Sequence, residues 1–148
     1  MRLIDKQVID TTSLYCKPVL NPTVSKYFSD LTELDQATID AKGISCEEGI
    51  QQFLDWIGST TCFSYAYSDK PLADGHILLE NIELYNLPIS LPVEQFKNIS
   101  SVFAAAGVPI TEYNSGKLHQ FFSLPATGRE HEAMHDVMSI IHSAFTLY

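Results

Sequence analysis

The stretch GREHEAMHD, residues 128–136, carries the densest chemistry in the chain, with two histidines among acidic residues. From His131 to His135 it matches H-E-x-x-H, the zinc-protease signature, which predicts both histidines on one helical face. A zinc protease needs a third ligand further along, where Ile141 stands. The thirteen residues after His135 all fall on one predicted helix, so none can swing round as a ligand. The pattern predicts no protease, while an adventitious ion at His131 and His135 stays open.

The clearest helix lies further upstream. Ser45 and Glu48 have the spacing of a capping box. One apolar face follows at helical spacing, and Gly58 ends it; its members are Ile50, Phe53, Leu54 and Ile57. Other predicted helices cover residues 25–34, 74–85 (with Asp74 as N-cap), 100–106, 115 or 116 to 122, and about 129 to the end.

Short β-favouring segments alternate with these helices. Strands are predicted at residues 61–67 and 96–99, and residues 2–15 favour a hairpin. Extended pieces followed by alternating helix and strand indicate an α/β protein whose sheet is flanked by helices. We expect residues 1–148 to form a single domain.

Composition is that of a globular protein, with 45% hydrophobic and 18% charged residues. There is no signal-peptide pattern and no apolar run long enough for a bilayer, which predicts a cytoplasmic protein without membrane association. Cys16, Cys46 and Cys62 are predicted to be buried or half-buried free thiols. A net charge of −9 argues against a protein that coats nucleic acid, but not against an enzyme that holds a short 3′ end through metal ions.

Three stretches together resemble the DEDDh 3′–5′ exonuclease superfamily, in its RNase T-like and histone-mRNA-exonuclease-like branch. The first is YCKPVLNP (residues 15–22) with LTELDQ (31–36), where Glu33 replaces the family's usual Gly. The second is SYAYSD (64–69) with DGHILLEN (74–81). The third and most specific is YNSGKL (113–118) with GREHEAMHD (128–136). The resemblance covers nearly the whole chain and implies a ribonuclease-H-like mixed sheet.

The resemblance also implies roles for individual residues. His131 would be the general base that activates water, and Asp136, five positions later, a metal ligand. Asp74 would be the second-motif ligand, with Asp69 as the alternative. Ser115, Lys117 and Arg129 would contact substrate. The expected cofactor is Mg²⁺ or Mn²⁺, because two hard cations about 4 Å apart bracket the scissile phosphate and require carboxylate oxygens.

The family's first motif, Asp-x-Glu on the central first strand, is expected upstream of the segment that begins at Met1. We therefore expect an N-terminally truncated domain that lacks this strand and two of the four carboxylates. VIDTTSL (residues 8–14) resembles the motif with its Glu deleted, but the spacing from Asp10 to Lys17 places Asp10 on the third strand. A reading frame that starts further upstream is the other explanation.

Two functions follow. The first is a degenerate exonuclease, inactive or weakly active on single-stranded DNA or RNA 3′ ends. The alternative is a non-catalytic ribonuclease-H-like binding or dimerisation module with no nucleic-acid substrate. Because a missing central strand leaves unpaired edges, a homodimer or a rearranged sheet is expected.

Overall fold

A computed structural model describes residues 1–2, 4–67 and 71–148. The chain forms two compact units. The first consists of Met1–Ser13, Tyr65–Asp69 and Ile99–Tyr148, and the second of Leu14–Ser64 and Lys70–Asn98. The expectation of a single domain stays a prediction, and each unit is described by itself.

The second unit contains helices α1 (Lys26–Thr32), α2 (Gln36–Lys42), α3 (Cys46–Ile57) and α4 (Asp74–Leu84). Side-chain oxygens cap the first three, because Ser25, Asp35 and Ser45 each accept a backbone N–H from the first turn of the helix that follows. The predicted helices at residues 25–34 and 45–58 are thus confirmed. Helix α2 was not predicted, although Asp35 is a good N-cap.

The strands of this unit are β1 (Cys62–Ser64) and β2 (Phe96–Asn98), which pair in parallel with Cys62 opposite Phe96. The α/β class and both strand positions are confirmed, although β1 is shorter than predicted. Five buried residues form the unit's core, in which helices cover the strands; they are Ile50, Ile57, Ile82, Leu91 and Phe96.

The first unit contains helices α5 (Ser100–Ala105), α6 (Leu118–Phe121) and α7 (Ala133–Thr146), with a 3₁₀ turn at Ser115–Lys117 directly before α6. Its core centres on Phe103 and Leu118, whose side chains are fully buried. Tyr65 packs edge-to-face on Phe103, and its hydroxyl donates to the Tyr113 carbonyl at 2.8 Å. These contacts fix the segment that leads into the 3₁₀ turn.

The predicted N-terminal hairpin and the predicted start of the last helix are both wrong. Residues 2–15 do not form the expected hairpin: the described part shows only one antiparallel bridge, Arg2 with Gln7. Helix α7 begins at Ala133 rather than at about Arg129, because His131 has a backbone φ of 71°, outside the helical region.

The three cysteines are free thiols, as predicted. Cys46 and Cys62 are half-buried, but Cys16 is exposed, so the expected burial is wrong there. Among the residues that the structure describes, no helix has the length and apolar character needed to cross a bilayer.

Candidate active site residues

The first unit holds the third-motif segment around Asp136, which lies in the first turn of α7. The backbone N–H of His131 donates to Asp136 Oδ1 at 3.3 Å. The chain can make this contact only by turning sharply before the helix, and the positive φ of His131 provides that turn. A non-glycine residue in this region is strained, and such residues concentrate at functional sites.

The Ser115–Lys117 turn packs against the same carboxylate. Ser115 Oγ donates to Asp136 Oδ2 at 3.3 Å. Gly116 lies so close that a Cβ atom there would stand 2.5 Å from Asp136 Oδ1. The structure therefore brings together two predicted site residues that are 21 positions apart, and it explains why glycine stands between Ser115 and Lys117.

Glu130 forms a polar cluster beside this turn. Its Oε1 accepts a hydrogen bond from Asn114 Nδ2 at 2.6 Å and lies 3.5 Å from Lys117 Nζ and 3.7 Å from His131 Nε2. The Asn114 hydrogen bond, helped by the positive charge of Lys117, lowers the pKa of the Glu130 carboxyl below its ordinary value. Glu130 thus lies close to Lys117 and His131, two predicted site residues.

His131 and His135 have different surroundings. The His131 side chain is 47% exposed, whereas His135 is 3% exposed. The expectation that they share a helical face is wrong, since α7 begins only at Ala133. Both ring nitrogens of His135 already have protein partners, Gly116 O at 3.1 Å and Thr127 Oγ1 at 3.2 Å. His135 is thus a core residue.

Asp74 lies in the second unit, at the first position of α4. It is not the N-cap that was predicted: Ala73 takes that place and makes no side-chain cap. Instead the Asp74 N–H donates to Ser64 Oγ at the end of β1, at 3.1 Å. Neighbouring protein atoms remove water from the carboxyl and raise its pKa, although the residue as a whole is exposed. The backbone of Asp74 thus ties the start of α4 to the end of β1.

Two further predicted site residues are Arg129 and Asp69. Arg129 lies on the exposed segment before α7, where its N–H donates to Glu132 Oε2 at 3.4 Å. Asp69, the alternative second-motif ligand, lies outside the described residues.

The oxygen atoms of Asp136 are of the type that binds divalent cations. Asp136 offers two carboxylate oxygens, each held by one donor, and carboxylate oxygens are the ligands that Mg²⁺ and Mn²⁺ prefer. Across residues 1–2, 4–67 and 71–148, no group of three or more His, Cys, Asp or Glu side chains is placed to hold an ion. The donor chemistry fits a divalent cation, but the described residues provide no complete ligand shell.

Sequence reasoning missed Asn114 and Glu130. Asn114 accepts the Lys117 N–H at 3.0 Å and so caps the 3₁₀ turn, a role that its spacing from Lys117 could have indicated. Glu130 stands inside the quoted third motif, but its contact with Asn114 joins positions 16 apart and has no local signal.

Comparison with known families decides what this arrangement belongs to. The RNase T exonuclease family matches residues 2–143. The chain belongs to this exonuclease family. The match confirms the resemblance to DEDDh exonucleases that the three sequence stretches predicted.

Individual members of the exonuclease family are similar over much of the chain. The 3′–5′ exonuclease crn-4 of Caenorhabditis elegans is 28% identical over 134 residues, which are 85% of this chain and 45% of the relative. The crystal structure of this cell-death related nuclease 4 superposes with a TM-score of 0.68 at 25% identity, covering 90% of this chain and 48% of that one. The chain thus spans about half the length of this relative.

The fold itself is shared with a second solved nuclease. The nuclease domain of 3′hExo, a DEDDh family member bound to rAMP, superposes with a TM-score of 0.80 and 18% identity. That superposition covers 99% of this chain and 76% of the nuclease domain. It confirms the predicted ribonuclease-H-like fold class.

Proposed function

We propose that these 148 residues form a metal-dependent 3′–5′ exonuclease domain that, by itself, acts weakly or not at all on single-stranded DNA or RNA 3′ ends. Membership of the exonuclease family supports the reaction class. The observation that carries the site is the Asp136 carboxylate, held by Ser115 and by the His131 N–H. The expected cytoplasmic location stays a prediction.

The proposed roles follow the chemistry of each side chain. Asp136 and Asp74 are each proposed as a ligand of Mg²⁺ or Mn²⁺, a cation that would offset charge on the scissile phosphate. His131, exposed and next to Asp136 through its own backbone, accepts the proton of the attacking water. Ser115, Lys117 and Arg129 contact the substrate; Lys117 and Arg129 bring positive charge to its phosphates.

Weak activity is proposed because of the residues that are present. The 148 residues contain no Asp followed two positions later by Glu, so they do not supply the Asp-x-Glu pair that the resemblance implies. Two neighbouring divalent cations would therefore lack part of the carboxylate charge that offsets their own, and we propose that cation binding is weak.

The test is a trimming assay on 3′ single-stranded RNA and DNA with Mg²⁺ or Mn²⁺. Any trimming by the 148-residue chain is expected to be slow and to disappear in Asp136→Asn, Asp74→Asn and His131→Ala. Asp55→Asn, on the exposed face of α3, is the control carboxylate and is expected to behave as wild type. Trimming that survives all three site variants would refute the assigned roles, and fast trimming would refute the proposed weakness.

A second candidate is a binding or dimerisation module, which exposed apolar side chains in the second unit favour. Val19, Leu20, Tyr27 and Phe28, which are close in sequence, are all exposed. We propose that these side chains pack against a second copy of the chain. Light scattering at micromolar concentration is expected to give a dimer, and a monomer at that concentration would remove this candidate.

A further inference from the structure

His135 occupies the interior of the first unit with both ring nitrogens engaged. Nε2 lies 3.1 Å from the Gly116 carbonyl oxygen, and Nδ1 lies 3.2 Å from Thr127 Oγ1. The ring also meets the edge of His119, with centroids 5.3 Å apart. A side chain that is 3% exposed and bonded at both nitrogens has one orientation available.

The partners define which nitrogen of His135 carries the proton. A carbonyl oxygen can only accept, so Nε2 carries hydrogen and donates to Gly116. In the neutral ring Nδ1 then accepts from the Thr127 hydroxyl. His135 thus ties the segment before α7 and the Ser115–Lys117 turn to the first turn of α7.

His135 and its chain neighbour Asp136 bond to two adjacent residues of the turn. His135 holds the carbonyl of Gly116, while Asp136 accepts from Ser115 Oγ. The close approach of Gly116 to Asp136 Oδ1 places the turn directly against the carboxylate. His135 is bonded to Gly116, and Asp136 is bonded to Ser115. A shift of the turn would therefore rotate the carboxylate.

His119, the other buried histidine, has its N–H and Nδ1 hydrogen bonds to α7 and not to the Ser115–Lys117 turn. His119 is 7% exposed, and its backbone N–H donates to Ser139 Oγ at 3.1 Å, while its Nδ1 lies 3.3 Å from the same oxygen. Those bonds join α6 to the middle of α7 and do not reach Asp136. Ser139 therefore offers a control: a buried polar contact of the same unit that reaches His135 only through the ring edge of His119.

We propose that His135 is a positioning residue, which orients the Asp136 carboxylate for cation binding by holding the Ser115–Lys117 turn. This inference rests on the proposed function, since it assumes that Asp136 is a metal ligand. Groups that orient a ligand through hydrogen bonds change metal affinity by about 10–100-fold when they are removed.

Two substitutions separate the hydrogen bond from the volume of the ring. His135→Gln can keep a donor near the position of Nε2, whereas His135→Leu keeps apolar bulk and loses the donor. We expect His135→Leu to weaken Mn²⁺ binding by about tenfold or more, and His135→Gln to retain most of the affinity. Ser139→Ala is expected to lower the unfolding temperature and leave the affinity unchanged. Mn²⁺ affinity is measured by titration calorimetry or electron paramagnetic resonance on the 148-residue chain.

Nuclear magnetic resonance of the metal-free protein gives a readout independent of cation binding. Two-bond proton–nitrogen correlations are expected to show His135 protonated at Nε2, and His135→Leu is expected to shift the amide signals of Ser115, Gly116 and Lys117. An Nδ1-protonated ring, or unshifted turn amides in a folded His135→Leu protein, overturns the inference whatever the affinities are.

The outcomes also distinguish a failure of this inference from a failure of the proposed exonuclease function. If Asp136→Asn abolishes Mn²⁺ binding and His135→Leu has wild-type affinity, His135 is not a positioning residue and the proposed function stands. Equal losses in His135→Leu and Ser139→Ala would show a general effect of core damage and also overturn it. If Asp136→Asn leaves Mn²⁺ binding unchanged, the proposed function fails, and the inference fails with it as a statement about a metal ligand.

Discussion

The hydroxyl of Ser115 donates to the carboxylate of Asp136, Oγ to Oδ2, at 3.3 Å. The two residues belong to the two halves of the third sequence stretch, and an intervening segment of the chain separates them. Their contact makes one polar site out of a 3₁₀ turn and a helix start. This contact is expected to be most sensitive to a substitution at Gly116, which lies between Ser115 and Lys117.

Gly116→Ala is expected to disrupt the site. The new Cβ would lie 2.5 Å from Asp136 Oδ1 and 3.0 Å from Glu130 Cγ, so the carboxylate or the turn must move. Overpacking of this kind costs about 1–3 kcal/mol of unfolding free energy, and Mn²⁺ affinity is expected to fall with it. Thermal unfolding and metal titration check both.

Gly107→Ala is the matched control for this change. Gly107 has a φ of 88°, and a Cβ there meets no atom within 4 Å. The substitution is expected to lower stability through backbone strain alone, by about 1 kcal/mol, with unchanged Mn²⁺ affinity. A Gly116→Ala protein that binds Mn²⁺ as wild type does would show that the turn and the carboxylate move independently.

The stability of the first unit is expected to depend on Glu130 at acidic pH. Its folded-state pKa lies below the ordinary 4.5, first because of the Asn114 hydrogen bond. A lowered folded-state pKa stabilises the fold above pH 4.5, and this contribution disappears as the pH falls through the folded-state value. Glu130→Gln lacks the ionisation, so its stability difference from wild type is expected to shrink as the solution is acidified.

Chemical unfolding at a series of pH values measures this dependence. The same comparison in an Asn114→Ala background is expected to show a weaker pH dependence, since the main cause of the lowered pKa is gone. A difference between wild type and Glu130→Gln that stays constant down to low pH would contradict the assigned charge cluster.

Ser143 and Ser139 are expected to respond in opposite ways to alanine substitution. Both side chains are buried on α7. Within the described part of the chain Ser143 Oγ has no hydrogen-bond partner, whereas Ser139 Oγ accepts from the His119 N–H. Ser143→Ala is expected to match or exceed wild-type stability by up to about 1 kcal/mol, and Ser139→Ala to lose about 1–3 kcal/mol. Denaturant titration of both variants decides, and equal losses would contradict the assignment.

The thiol of Cys62 is expected to report the charge of Asp74 within the second unit. Burial first, and the Asp74 charge second, raise the pKa of Cys62, whereas burial alone raises that of Cys46. Because the thiolate is the reactive form, Asp74→Asn is expected to speed alkylation of Cys62 but not of Cys46. Mass spectrometry of timed alkylation measures both rates in one sample. Equal acceleration at the two sites would point to loosening of the fold.

Local signals predicted the elements whose stability is local. Helix α3 follows from its Ser45 cap and its apolar spacing, and both strands follow from short β-favouring runs. The predicted start of α7 failed for a different reason. Glu130, His131 and Glu132 have no strong bias against helix, but contacts of Glu130 with Asn114 and of the His131 N–H with Asp136 hold that segment in a turn.

The sequence by itself determined the family, because the spacing of the third stretch is visible without any fold, and the match over residues 2–143 agrees with it. Tertiary structure alone decided the surroundings of each candidate side chain. Hydrogen bonds between distant positions, such as Ser115 with Asp136 or His135 with Gly116, form only when packing brings them together. Such bonds leave no periodic trace along the chain, since their partners are set by the three-dimensional path and not by the helical or strand repeat.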